Sequence, residues 1–411
     1  MGGRLRMYNV QFGDAFLLYG EGENLLVDLG STGAINFDPI RDSIRDECEN
    51  LDFSLLLTHF HKDHWSGLRN QPPKHQLPRV KLVYLPDIFG MRFAKQLDVI
   101  VRGLLGDFLE SVVLRKKPQF TLADLLRNVL PKLPRKQICF LRRGDIFQMG
   151  GRSYEVLWPR LRLQDAVGKQ SQALIRFLER TEAKLTADES EARLLDTMEA
   201  LANVLLRDFA NSLDFQDYRR DLLPPVILAE ERTYEELYLQ TQRMSELLSR
   251  ELQIDQKEYL DKARRYAEQL SRDWNRVSLV FQEQSGAEEH LKNDGILMTS
   301  DVPGPILKQL ANGEFGPPYF QNSYAVIKAP HHGTDTHFCA ILPRSQHLCI
   351  SNGTGNRKFH RIADEYEHVY GFLGKGAEIH CTNRRCNFWE HKRKCPSFSK
   401  YPAAASYDIC W

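Results

Sequence analysis

The 411-residue sequence lacks any long uninterrupted apolar run. No stretch approaches about 18 consecutive apolar residues, the length that a membrane-crossing helix needs, so we expect no transmembrane helix and no membrane partner. The opening residues, MGGRLRMYNVQFGDAFLL, contain no apolar segment followed by a small-residue cleavage site. No export signal is therefore predicted, and a cytoplasmic location is expected.

The chain also lacks an excess of charge of one sign. It has 55 lysines and arginines against 54 acidic residues, a net charge of +1. The total charge therefore predicts no partner, and any contact with nucleic acid would depend on local basic patches. Cysteine is scarce, with 8 residues, and without an export signal we expect reduced thiols rather than disulfides.

The hydrophobic pattern divides the chain into a β-rich core and a helical block. Residues 1–160 carry short runs of β-branched and aromatic residues, interrupted by a helical segment over 91–137. Residues 161–274 are highly charged and carry apolar residues at helical spacing. Strand patterns resume over 275–411. This order predicts a core in two halves, separated by a helical insertion.

The main chemical signal is the sequence Thr-His-Phe-His-Lys-Asp-His at positions 58–64, directly after an apolar strand. Histidines at alternate positions, His59 and His61, can point to one side and share a metal ion. Asp63 and His64 then reach a second ion. Neutral imidazole together with carboxylate suits zinc, manganese or iron(II).

Two later segments fit the same site. Asp301 ends the apolar run GILMTS, and the pair His331-His332 follows the apolar run AVIKAP. A carboxylate at a strand end can bridge two ions, although such a residue also serves as a helix cap or turn residue. The sequence leaves open which histidine of the pair is the ligand. We prefer His332, with His331 lining the pocket or acting as the alternative ligand.

These motifs resemble the metallo-β-lactamase superfamily, whose diagnostic HxHxDH motif matches residues 59–64. The resemblance implies an α/β fold, a four-layer αββα sandwich with the metals at one edge of its two sheets. It implies two divalent ions, Zn or Mn, held by His59, His61, Asp63, His64, Asp301 and His332. It also implies structural support of the metal loop by Asp28, and hydrolysis by a metal-bound hydroxide.

Within the superfamily the sequence is most similar to the hydrolase domain of ComEC-like DNA-uptake proteins. The resemblance lies in residues 10–15, 143–159, 275–280, 328–333 and 351–360. It implies cleavage of phosphodiester bonds in DNA or RNA, in a bacterial defence or DNA-processing system. The implied catalytic residues are Asp63, which orients the attacking water, and His360, which donates a proton to the leaving group or contacts phosphate.

One position departs from the superfamily pattern. Many members supply a further histidine near residues 157–159, where this chain has Trp158, which cannot bind a metal. The ion at His59 and His61 is therefore expected to be the more weakly held.

Other functions stay open at this stage. Hydrolysis of a small ester, lactone or cyclic nucleotide is one alternative, with the helical block as a lid. Another is an effector or scaffold subunit that recruits a protein partner through residues 160–275. Nucleic acid as a substrate receives weak support from basic runs at 115–117, 135–136, 142–143 and 392–394.

The C-terminal region offers a second candidate zinc site. Cys381, Cys386, His391 and Cys395 are close in sequence, and thiolate with imidazole is a structural zinc ligand set. Their spacing lacks a CxxC knuckle, so a β-hairpin with ordinary thiols is the alternative interpretation.

Overall fold

The computed structural model describes residues 3–33, 35–69, 71–87, 125–129, 138–160, 189–212, 231–251, 274–284, 295–352, 362–363, 365–371, 374–382 and 406–411. The chain divides into two compact units. The first unit comprises residues 1–87, 137–161 and 275–411, and the second comprises residues 88–136 and 162–274. That residues 161–274 form an insertion between two halves of the core, 1–160 and 275–411, stays a prediction.

The first sheet of unit 1 has seven strands. They are β1 (Arg4–Tyr8), β2 (Phe16–Tyr19), β3 (Glu23–Val27), β4 (Asp52–Leu56), β5 (Val80–Pro86), β6 (Ile138–Leu141) and β14 (Ser406–Cys410). Their order in the sheet is β14-β1-β2-β3-β4-β5-β6. Strands β14, β1, β2 and β3 pair antiparallel, whereas β3, β4, β5 and β6 pair parallel.

The second sheet also has seven strands. They are β7 (Ile146–Met149), β8 (Arg152–Trp158), β9 (Val280–Glu283), β10 (Ile296–Met298), β11 (Ser323–Lys328), β12 (Arg344–Ile350) and β13 (Glu378–Cys381). Their order is β13-β12-β11-β10-β9-β8-β7. Strands β7 to β10 pair antiparallel and β10 to β13 pair parallel. Both sheets therefore join an antiparallel half to a parallel half.

The two sheets face each other across one apolar core. Phe16 and Leu18 of β2 belong to the same buried cluster as Phe281 of β9 and Met298 of β10. Successive side chains of a strand point to opposite faces, so the alternate residues of each sheet point away from this core. A second layer is therefore needed on each outer face.

Helices cover both outer faces. Helix α1 (Asp38–Glu47) covers the first sheet, because the outward Asn24 side chain of β3 donates to the Glu47 carbonyl oxygen at 3.2 Å. Helices α5 (Gly304–Ala311) and α6 (Glu365–Val369) cover the second sheet and share a buried cluster with Leu348 and Ile379. The predicted αββα sandwich is confirmed.

The described part of unit 2 is helical. It contains α3 (Glu189–Ser212), α4 (Tyr234–Glu251) and a π-helical turn over Leu125–Val129. Leu201, Val204 and Leu237 are buried there. No helix of the described residues is long and apolar enough to cross a membrane.

Candidate metal centre

The candidate site lies at the carboxyl ends of parallel strands from both sheets. Asp28 follows β3, His59 follows β4, Asp301 follows β10 and His332 follows β11. Loops at the carboxyl ends of parallel strands are the usual place for binding sites in α/β proteins, because neighbouring strand ends bring their side chains together. The topology thus collects residues that are far apart in sequence.

The turn that carries Asp63 and His64 is a short helix, α2 (Lys62–Trp65). Backbone hydrogen bonds fix it to neighbouring loops: the Leu29 amide donates to the His64 carbonyl at 2.8 Å, and the Asp14 amide donates to the Asp63 carbonyl at 3.0 Å. Gly30 lies directly beneath, and a Cβ there would lie 2.4 Å from the backbone of Asp63 and His64. Only a glycine allows this close approach.

Four buried side chains converge on one point. They are Asp63, His64, Asp301 and His332, and each offers one ligand atom within 4.8 Å of the others. His64 Nε2 lies 3.2 Å from Asp301 Oδ2, and His332 Nε2 lies 3.2 Å from Asp63 Oδ2 and 3.4 Å from Asp301 Oδ2. Donors bound at 2.0–2.1 Å to a tetrahedral zinc ion are separated by about 3.4 Å. These three distances therefore match the spacing of ligand atoms around one divalent ion.

The same Asp301 oxygen also faces the first two histidines of the motif. Oδ2 lies 3.9 Å from His59 Nε2, which itself lies 2.9 Å from His61 Nδ1. Asp301 is fully buried between the two groups. Asp301 thus faces both the four-residue cluster and His59, and the second ion at His59 and His61 stays a prediction.

Two carboxylates behind the cluster orient the imidazoles. Asp28 Oδ2 accepts from His64 Nδ1 at 2.8 Å, and Asp14 Oδ1 accepts from His332 Nδ1 at 3.2 Å. Each contact leaves Nε2 directed at the cluster. Asp28 also accepts from the Thr58 amide at 2.8 Å and from the Thr58 hydroxyl at 2.7 Å. Carboxylate–histidine pairs of this kind fix the tautomer and raise the basicity of metal-binding histidines.

A buried lysine pairs with two of the carboxylates. Lys328 is 1% exposed, and its Nζ lies 2.6 Å from Asp14 Oδ2 and 3.1 Å from Asp301 Oδ1. Lys328 and Asp14 were not among the predicted site residues. The signal for them in the sequence was a lysine at the end of an apolar strand pattern. A lysine there is expected to be buried, and a buried charge needs partners of opposite charge.

The pKa values follow from these contacts. Burial lowers the pKa of His64, but Asp301 and Asp28 outweigh it and raise the pKa from 6.5 to about 10. Burial opposes the charge of His332 too, yet Asp301 and Asp14 raise its pKa well above the ordinary value. Burial raises the pKa of Asp301, whereas His332 and Lys328 lower it well below the ordinary value. The carboxylates thus favour the protonated form of both imidazoles, and a binding cation competes with those protons.

Several residues of the site have left-handed backbone conformations. The φ angles are +58° at Asp28, +47° at Ser300, +44° at His331 and +57° at His332. Such conformations cost about 1–3 kcal/mol each and are concentrated at functional sites. At His331 and His332 they turn two adjacent side chains toward the cluster, since His331 Nε2 also lies 3.7 Å from Asp301 Oδ2.

Trp158, at the position where many superfamily members have a further histidine, lies in the core. It packs beneath α5 against Phe315, and its indole Nε1 donates to the Arg276 carbonyl. Other predicted site residues lie elsewhere or outside the described part. Cys381 of β13 is buried in the same core. His360, Cys386, His391 and Cys395 lie outside the described residues, so their roles stay predictions.

No protein-family model matches the chain, and no curated protein matches it. A solved metallo-β-lactamase family protein from Thermus thermophilus is 21% identical, with 38% of this chain and 51% of that chain covered and a TM-score of 0.24. A subclass B3 metallo-β-lactamase from a soil metagenome library is 19% identical, with 38% and 49% covered and a TM-score of 0.23. A protein of unknown function from Enterococcus faecalis is 10% identical, with 38% and 37% covered and a TM-score of 0.21.

The matched region spans about half the length of the first two of these structures, and less of the third. Two of the three bear the name of the superfamily that the HxHxDH motif resembles. The strand order of the two sheets and the helices on their outer faces define the fold. The buried His/Asp cluster on this sandwich supports a metal-dependent hydrolase.

Proposed function

We propose that this chain cleaves phosphodiester bonds in DNA or RNA, as a metal-dependent nuclease of the ComEC-like type. The observation that carries the proposal is the convergence of Asp63, His64, Asp301 and His332 on one point, with Asp301 Oδ2 also facing His59. Two-metal sites are found in phosphatases and nucleases, where the ions stabilise the attacking and leaving oxygens. We propose a place for this activity in bacterial DNA processing or defence.

The chain's own residues divide into three roles. Asp63, His64, Asp301 and His332 would hold one ion, and His59, His61 and Asp301 the other. Bound divalent ions supply Lewis acidity and lower the pKa of water to near neutrality. Asp14, Asp28 and Lys328 hold the ligands in position. Asp63 also orients the attacking water, and His360 is the proposed proton donor to the leaving group.

The rim of the site carries one cationic side chain. Lys62 is partly exposed and directly precedes Asp63 on α2, whereas the cluster behind it is buried. Its ammonium donates to the Thr32 carbonyl at 3.5 Å. A cationic group near the proposed ions favours an anionic substrate over a neutral ester.

The basic runs add little support for a nucleic-acid substrate. Of the four, 142–143 is the run that lies within the described residues. The Arg143 guanidinium donates to the carbonyl oxygens of Leu157, Gly316 and Pro318, and Arg142 lies beside Asp145. Arg143 thus fixes the β8 end and a neighbouring loop instead of facing a substrate.

The test is a nuclease assay on single- and double-stranded DNA and RNA with Mn²⁺ or Zn²⁺. We expect Asp301→Ala and His61→Ala to lower the rate by at least about 100-fold, the usual effect of removing one group that stabilises transition-state charge. The control is His368→Ala, an exposed histidine on α6, which should keep the wild-type rate.

Other outcomes would assign the chain differently. Turnover of a chromogenic ester or small phosphodiester, without cleavage of any nucleic acid, would replace the proposal by the small-molecule hydrolase. A loaded metal centre without any turnover, together with a protein bound through residues 160–275, would favour the scaffold alternative.

A further inference from the structure

A second group of metal-ligating side chains lies at the edge of the second sheet. It consists of His347 on β12 and of Glu378 and His380 on β13. Strand β13 is the last in the order of the sheet and pairs parallel with β12, with His347 opposite Glu378 and Cys349 opposite His380. The register therefore brings the three side chains together.

The three side chains share one face of the sheet. Leu348, Ile379 and Cys381 belong to the core beneath α5 and α6. Because side chains alternate along a strand, His347, Glu378 and His380 point to the opposite face. Cys381, which the sequence offers as a zinc ligand, is thus on the other side of β13 from His380.

The distances within the group match those of a tetrahedral metal site. His347 Nδ1 lies 3.1 Å from His380 Nε2 and 3.6 Å from Glu378 Oε2. Ligand atoms at 2.0–2.2 Å from a tetrahedral zinc ion are about 3.3–3.6 Å apart. Two imidazoles and a carboxylate are also a zinc ligand set found in proteins.

The surroundings allow an ion to enter from solvent. His380 is 9% exposed, so its imidazole is fixed by packing. The side chain of His347 is 18% exposed and that of Glu378 is 44% exposed. The carboxylate side of the group is therefore open, and it leaves room for water as a fourth ligand.

We propose that His347, Glu378 and His380 form a zinc site separate from the His59–His64 centre, and that the ion fastens the edge strand β13 to β12. The chemical class of ligand is a divalent ion that accepts imidazole nitrogen and carboxylate oxygen. Among the described residues, β13 is an edge strand that pairs with β12 alone. The ion would add a side-chain link to the backbone hydrogen bonds between these two strands. The site does not depend on the proposed nuclease activity.

The experiment measures zinc stoichiometry and affinity by competition with a chromophoric chelator on the full chain. We expect the wild type to bind one equivalent more than His347→Ala/His380→Ala, and His368→Ala to bind as the wild type. Zinc should raise the melting temperature of the wild type by more than that of the double variant. Circular dichroism shows whether the double variant is folded.

A milder variant tests the proposal if the double variant does not fold. Glu378→Gln changes an exposed residue and removes one ligand charge, so we expect this equivalent to bind at least about tenfold more weakly. Unchanged stoichiometry and affinity in Glu378→Gln and in His347→Gln would overturn the proposal. The two imidazoles would then share a proton and bind no ion.

Discussion

Asp14 offers a sharp test of how the metal centre is held. Its two carboxylate oxygens serve two donors, His332 Nδ1 at 3.2 Å and Lys328 Nζ at 2.6 Å. Asparagine at this position has a single acceptor oxygen and a donor NH₂ group. In Asp14→Asn, one of the two donors must lose its acceptor. If the amide nitrogen faces His332, that imidazole must carry its proton on Nε2, the atom that faces Asp63 and Asp301.

The expected magnitude follows from this change of tautomer and charge. Loss of a carboxylate behind a metal-binding histidine typically weakens metal binding by about 10–100-fold. That range corresponds to about 1.4–2.7 kcal/mol of binding free energy. Asp14→Ala removes both acceptors and is expected at the upper end of the range.

The assay is zinc affinity of the folded chain, measured by chelator competition. Asp42→Asn is the matched control, because Asp42 accepts from His75 Nδ1 at 2.8 Å in a carboxylate–histidine pair of unit 1 away from the centre. Wild-type affinity in both Asp14 variants would show that Asp14 does not hold His332 for metal binding. If Asp14→Asn does not fold, Asp28→Asn tests the same principle at His64, since asparagine tolerates the left-handed conformation found at Asp28.

Three further predictions concern the backbone and the protons of the centre. Gly30→Ala should displace the α2 turn and abolish tight zinc binding, because the new Cβ would lie 2.4 Å from the Asp63–His64 backbone. Gly33→Ala is the control, because a Cβ there meets only ordinary contacts from 3.4 Å outward. Equal zinc affinities of the two variants would contradict this prediction. Zinc should displace the proton of His64, whose pKa is about 10, so its apparent affinity should rise by at least about tenfold per pH unit between pH 6 and 8. Calorimetry in buffers of different ionisation enthalpy counts the released protons, and release of none would exclude the displacement. Without zinc, the raised pKa of His64 stabilises the fold fully below pH 6.5, and this contribution is lost as the pH rises toward 10.

The fold was predictable because its signals in the sequence are local. Apolar strand runs that end on histidine or aspartate, as at His59 and Asp301, place the ligands at strand ends from the residue pattern alone. A parallel half in each sheet then brings those ends together. The residue pattern predicted a β-rich core in two halves, whereas the confirmed αββα sandwich was implied by the resemblance to the metallo-β-lactamase superfamily.

The residues behind the cluster escaped prediction for a physical reason. Asp14 and Lys328 are single charges in apolar surroundings, and their meaning depends on a partner that lies far away in sequence. Lys328 and Asp14 are 314 residues apart in the sequence, and no local pattern joins them. The edge group of His347, Glu378 and His380 was missed likewise, because it depends on the pairing of β12 with β13.

The wide separation of the ligands along the chain affects when the protein can acquire its metal. His64 and Asp301 are 237 residues apart. At about 5–20 residues per second, a ribosome needs roughly 10–50 s to pass from one to the other. During that interval the nascent chain offers only His59, His61, Asp63 and His64, without the shared carboxylate or His332. We therefore expect metal loading to follow synthesis of the second sheet, as a late step that completes the joining of the two halves.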